Sequence, residues 1–98
     1  MAGGYVGVLS AELHFPESGS LKEKRQFLRS AKARLQRMGA AVAEVDHHDT
    51  WQRARLTLAF VTREHKEVER LLDDAERYLA GQAWELGPVE RTVVSPDD

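Results

Sequence analysis

The sequence predicts a ferredoxin-like α+β domain with the element order β-α-β-β-α-β. Three observations predict it. Four stretches alternate apolar and polar residues with a period of two, the mark of half-buried strands. Two others carry apolar residues at helical spacing between start and stop signals. In this order, right-handed crossovers give a four-stranded antiparallel sheet, order 4-1-3-2, with both helices on one face. A length of 98 residues suits a single domain with a modest core. The ordered part is expected over about residues 4–94.

The first strand is Tyr5 to Phe15. Tyr5, Gly7, Leu9, Ala11 and Leu13 face one way; Val6, Val8, Ser10, Glu12 and His14 face the other. The stretch PESGS is a loop. Ser20 then caps a helix, with Glu23 three residues on in the capping-box pattern. Leu21, Phe27, Leu28, Ala31, Leu35 and Met38 form its apolar arc, and Gly39 ends it. Lys24 falls within that arc, so its stem is expected along the core edge with the amine in water. Residues 41–61 read as two strands and a turn. Ala41, Ala43 and Val45 are assigned to the core face, and Val42, Glu44 and Asp46 to the open face. Across the turn, Ala54, Leu56, Leu58 and Phe60 point in; Arg53, Arg55, Thr57, Ala59 and Val61 point out. The expected register pairs Asp46 with Arg53 and Glu44 with Arg55, about a turn at Asp49-Thr50 or a looser four-residue loop. Thr62 is placed as the cap of a second helix, Arg63 to Ala80, whose stripe is Val68, Leu71, Leu72, Ala75 and Leu79. Ala83 to Val94 is a fourth strand. Its Gly87-Pro88 interruption assigns it to an edge, and the tail SPDD is solvated.

Composition narrows the function. The net charge of −2 exerts no global pull toward nucleic acid or membrane. The absence of cysteine removes disulfides, thiol nucleophiles and thiolate metal sites. No apolar run approaches the roughly 18 residues of a membrane span. The opening MAGGYVGV lacks the features of a secretory signal, so a cytoplasmic location without membrane partners is expected. The chain has no Asn and no Ile, and ten of its fourteen basic residues are Arg. That composition suits a GC-rich gene and a heat-adapted host.

The stretches YVGVLSAELHFPESGSLKEKRQFLRSAKARL and VAEVDHHDTWQRARLTLAFV resemble the YlxP-like family, the DUF503 domain of unknown function. SLKEKR at Ser20–Arg25 and AEVDHHDTWQRA at Ala43–Ala54 are the most specific parts. The resemblance covers nearly the whole chain. It implies a ferredoxin-like fold and a genomic setting beside translation-initiation and ribosome-maturation genes, and it supplies no activity.

Three surfaces are candidates for function. The open sheet face is expected to gather Glu12, His14, Glu44, Asp46, His48, Arg53 and Arg55. These form either a stabilising cross-strand charge ladder or a polar pocket. His14, Glu44, Asp46, His47, His48 and Asp49 are acceptable metal ligands. The interposed arginines repel a cation, and no metal or other cofactor is expected. The other end of that face, with Val6, Val8, Val42, Ala59 and Val61, is an apolar patch, and Trp51 adds an anchor at the hairpin tip. A two-fold homodimer through this patch is the expectation; the alternative is a Trp51 folded over its own hairpin. The first helix is the third surface. Leu21 to Met38 holds seven basic residues and one acid, a local charge of +6. Lys22, Arg25, Arg29 and Lys32 line one stripe. Like charges at this spacing cost helix stability, so either RNA phosphate or the acidic second helix, with Glu64, Glu67, Glu69, Asp73, Asp74 and Glu76, is expected to offset them. RNA stacking on the sheet is disfavoured, because strands one and three place no aromatic there. There is no serine elbow, cysteine or isolated carboxylate pair. The sequence therefore reads as a non-enzymatic domain, a homodimer whose basic helix binds ribosomal RNA or a ribosome-associated partner. The alternative is a small enzyme or ligand-binding protein using His14, Asp46, His48, Arg53 and Arg55.

Overall fold

A computed structural model describes residues 3–16 and 18–96 of the chain. Glu17 of the predicted loop, Asp97 and Asp98 of the predicted tail, and Met1 and Ala2 lie outside the described residues. The elements follow the predicted order: β1 Tyr5–His14, α1 Leu21–Arg37, β2 Ala41–Asp46, β3 Arg53–Thr62, α2 His65–Ala80 and β4 Glu85–Val94. The strands form one antiparallel sheet in the order β2-β3-β1-β4, which makes the fold ferredoxin-like. Among the described residues, no helix is long and apolar enough to cross a membrane.

One face of the sheet carries the core. Leu9, Ala11 and Leu13 of β1 and Ala54, Leu56, Leu58 and Phe60 of β3 meet Leu28, Ala31 and Leu35 of α1 and Val68, Leu72, Ala75 and Leu79 of α2. Gly7 lets α2 lie close to β1: a Cβ there would stand 2.5 Å from Val68 Cγ2. Ser20 Oγ caps α1 by accepting the Glu23 amide at 3.2 Å, while Glu23 accepts the Gly19 amide at 3.3 Å. Gly39 ends the helix at φ +103°, a conformation glycine adopts without a Cβ penalty.

β1 ends at His14, one residue before the expected Phe15, and two further boundaries differ from expectation. Thr62 does not cap α2. It is the last residue of β3, and its hydroxyl donates to the Glu64 carbonyl at 2.8 Å, guiding the chain into the helix from outside. The cap position is Glu64, which makes no side-chain cap bond. β4 begins at Glu85 rather than Ala83, because Trp84 is drawn into the core. Its indole N–H donates to the Leu79 carbonyl at 2.9 Å, and its ring packs against Phe15, Phe27 and Tyr78.

The largest departure is the register of the central hairpin. Val42 pairs with Leu58, Ala43 with Thr57 and Glu44 with Leu56, one residue from the expected alignment. A one-residue slip exchanges the faces of a strand. Val42 and Glu44 therefore lie on the helix side, and Ala41, Ala43 and Val45 lie on the open side. The register then shifts between Glu44 and Asp46, and Asp46 pairs with Arg55. This irregularity returns Asp46 to the open face, as β-bulges do.

Lys24 accounts for the slip. The residue is 2% exposed, so its amine is in the interior rather than in water as expected. Nζ donates to the carbonyl oxygens of His47 at 2.6 Å and Thr50 at 2.7 Å, and lies 3.2 Å from Glu44 Oε2. A buried ammonium needs a counter-charge and acceptors. Glu44 on the inner face supplies the charge, and the hairpin backbone supplies the acceptors. With the N–H groups directed at carbonyls, Glu44 Oε2 receives no directed hydrogen bond; the pair acts through charge. Lys24→Met should cost about 3–5 kcal/mol, the cost of breaking a buried pair from one side. Urea denaturation measures it, and a loss under about 1 kcal/mol would match a solvated pair instead.

Candidate functional site

The open face of the sheet divides at a hydrogen bond between the Ser10 and Thr57 hydroxyls, 2.7 Å long. Toward the hairpin the face is charged; away from it the face is apolar.

Glu12 is the centre of the charged half. It lies opposite Arg55 in the β1–β3 register, and His14 lies opposite Arg53, as expected. Arg55 Nη1 donates to Glu12 Oε1 at 3.1 Å, Arg53 Nη2 stands 3.8 Å from Oε2, and His47 Nε2 lies 3.2 Å from Oε2. Arg55 also reaches Glu90 of β4 at 3.6 Å, and His14 meets Glu85 at 3.2 Å. Burial pushes the Glu12 carboxyl up, but the bonds from Arg55 and His47 outweigh it, and the net shift is downward. The His47 amide, donating to Asp46 Oδ1 at 2.7 Å, holds the Asp46 carboxyl below its ordinary range.

Five of the seven predicted polar residues lie on this face: Glu12, His14, Asp46, Arg53 and Arg55. Glu44 does not, because Lys24 takes it on the helix side. His48 does not join Glu12 either. It is exposed, with Nε2 4.0 Å from Glu44 Oε1, so it follows Glu44 rather than the ladder. His47 takes the place assigned to His48. Its backbone has φ 66°, a left-handed conformation uncommon outside glycine. Three tethers hold it there: its amide on Asp46, its carbonyl on Lys24 and its ring on Glu12. Alternation alone could not find His47, since its side was decided by the slipped register and the bulge. Among the described residues, no group of three or more His, Asp or Glu side chains is arranged to hold a metal ion.

The apolar half also changes. Val42, expected on this face, packs on the core. Ala41, Ala43 and Val45 replace it and line a shallow hollow with Thr57 and Ala59. Val6, Val8, Ala59 and Val61 lie where predicted, with Val94 beside Val6. Val61 is 77% exposed. Trp51 is half exposed at the hairpin tip, beside the charged end of the face, so it does not join the apolar patch as expected.

The basic stripe of α1 stands apart from both halves. Arg25, Arg29 and Lys32, with Leu28 and Glu44, border a groove of about 240 Å³ between α1 and β2. Among the described residues, Lys22, Arg25, Arg29 and Lys32 have no ion-pair partner. The acids of α2 turn elsewhere. Asp74 pairs with Arg70 and Arg77 on its own helix, and Arg91 of β4 gathers Glu69, Asp73 and Glu76. The expected neutralisation of α1 by α2 does not form. Arg34, outside the stripe, is the α1 cation that meets α2, over the Tyr78 ring at 5.7 Å.

Comparison with known proteins agrees with this architecture. The model of a family of proteins of unknown function, DUF503, matches residues 6–90. The chain belongs to the DUF503 family. It is 33% identical over 89 residues to the uncharacterized protein YlxP of Bacillus subtilis (strain 168), covering 90% of this chain and 92% of that one. Two solved structures share the fold at low identity. One is a C-terminal segment of the alpha subunit of aIF2 from Pyrococcus abyssi, with TM-score 0.50, 15% identity, and coverage of 92% of this chain and 50% of that one. The other is a hydantoinase/carbamoylase family amidase from Burkholderia ambifaria, with TM-score 0.53, 14% identity, and coverage of 96% and 28%. The family match therefore assigns the chain to a lineage of unknown function.

The Glu12 cluster carries a pH signature. A carboxyl whose pKa is lowered by folding adds stability above its ordinary value of 4.5, and that stability is lost as pH falls through the lower folded value. Glu12→Gln should therefore flatten the acid limb of the stability curve below about pH 4.5. Chemical denaturation from neutral pH down to about pH 3 checks it; parallel curves for both proteins would remove Glu12 from the acid transition.

Proposed function

We propose that this DUF503 domain binds the phosphate backbone of RNA through the outer stripe of α1, in a ribosomal setting. One observation carries the reading: among the described residues, Lys22, Arg25, Arg29 and Lys32 form no ion pair, although an acidic helix lies on the same side of the sheet. Glu44 borders the same groove, but its charge faces Lys24. The stripe is spaced at three, four and three residues, so its like charges oppose helix formation. Phosphates along a polyanion offset that repulsion and release counterions. The sheet supports the same reading by what it lacks. Val6, Val8, Ser10, Arg55, Thr57 and Ala59 offer no ring for a base to stack on. Binding is therefore backbone-led, with register set by charge spacing rather than base identity.

The test is binding of the purified chain to ribosomal subunits across a salt series. Affinity should fall steeply with salt, and Arg25→Glu/Arg29→Glu should lower the slope by about two. Equal binding by the double variant, or none at low salt, would exclude α1 as the contact.

We also infer a two-fold homodimer through the apolar half of the open face. Val6, Val8, Ala41, Ala43, Val45, Ala59, Val61 and Val94 form a patch larger than the sequence alternation implied, and exposed apolar surface of this kind marks interfaces. The charged half stays outside it. Sedimentation at micromolar concentration should give a dimer, and Val61→Glu, which buries a charge at a two-fold interface, should give a monomer. A wild-type monomer would exclude the interface.

A further inference from the structure

We propose that the charged half of the open face holds a binding site for a small monoanionic carboxylate with an apolar body. The site is a cavity of about 450 Å³ lined by Glu12, His14, Arg53, Arg55, Gly87 and Pro88, within the range of small-molecule pockets.

A break in the β1–β4 ladder shapes it. The register shifts between Ala11 and Leu13, leaving Glu12 out of step with β4 where Gly87-Pro88 passes. Pro88 has no N–H to extend the ladder. Gly87 keeps the space above Glu12 clear: a Cβ there would stand 3.2 Å from Glu12 Cβ. The interruption thus makes a hollow in a sheet that would otherwise present a flat face.

The two arginines differ in how they are held. Arg55 is fixed between Glu12, at 3.1 Å, and Glu90, at 3.6 Å. Arg53 is not. Its closest carboxylate contact is Glu12 Oε2 at 3.8 Å, with the side chain 55% exposed. That distance is too long for a hydrogen bond. Glu12 already serves Arg55 and His47, so the planar donors of Arg53 are available to an incoming carboxylate, which they match in a two-point contact. The rest of the wall suits an apolar body: Pro88 forms one side, and the arginine stems add methylenes. Charge selects the class. Glu12 lies within the wall, with Glu85 beside His14 and Glu90 beside Arg55. A dianionic phosphate meets three carboxylates there with about twice the repulsion that a single carboxylate meets. This site shares no residue with the α1 stripe, so the RNA reading and this one stand or fall separately.

Amide-resolved NMR titration of the full chain with benzoate, at fixed ionic strength, tests the proposal. Benzoate should move the amides of Glu12, Arg53 and Gly87 along saturable curves. Arg53→Ala, at an exposed position that leaves the core intact, should weaken binding by at least about tenfold, and Arg29→Glu should leave it unchanged. Shifts that never saturate, or full affinity in Arg53→Ala, would overturn the site. So would inorganic phosphate moving the same amides as strongly as benzoate, because the three flanking carboxylates would then not select.

Discussion

A single buried ammonium governs the central hairpin. Lys24 sits in the apolar arc of α1 at a position where Leu or Ala would serve the core. Its charge cannot remain in the interior without acceptors. The hairpin supplies them: two backbone carbonyls from the loop and one carboxylate from β2. Because the carboxylate must point toward α1, β2 must present Glu44 inward. Every other residue of that strand follows by alternation. The apolar character of β2's outer face, the inward turn of Val42 and the need for a bulge before Asp46 all descend from this one demand.

The loop above it is held from both sides. Lys24 grips the His47 and Thr50 carbonyls from below, and Glu12 meets the His47 ring from the open face. His47 keeps its left-handed backbone because these contacts and the Asp46 carboxylate over-determine it. The hairpin is thus a rigid connection between the basic helix and the charged half of the sheet. It joins the α1 stripe to the Glu12 cluster, with Trp51 at its tip.

Charge is distributed by helix. α2 is acidic and satisfied at home, since Arg70, Arg77 and Arg91 take four of its carboxylates. Arg91 ties the helix to the far edge strand. α1 is basic, and its outer stripe lies beyond reach of those acids on the β2 side of the sheet. A net charge of −2 hides this separation. The arrangement leaves one flank positive with a local field that average composition does not report.

The sequence by itself determined the element order, the sheet topology and the helix stripes, because these rest on local periodicity and on caps written into adjacent residues. Ser20 and Glu23, Gly39, the Leu9–Leu13 alternation and the Pro88 edge are all read from neighbours along the chain. It also brought Glu12, His14, Asp46, Arg53 and Arg55 together, since β1 and β3 alternate strongly and tolerate one register. Tertiary structure alone decided the register of β2. The strand AVAEVD is weakly patterned, with small Ala on one face and Val beside Glu on the other, so hydrophobicity hardly separates the two alignments. The deciding term was the counter-charge of Lys24, twenty positions from Glu44 in sequence. That contact moved Glu44, Val42 and His48 out of their assigned roles and brought His47 in. No local pattern encodes it, because a lysine in an apolar arc reads equally well with its amine in water or buried; only the partner's position distinguishes the two.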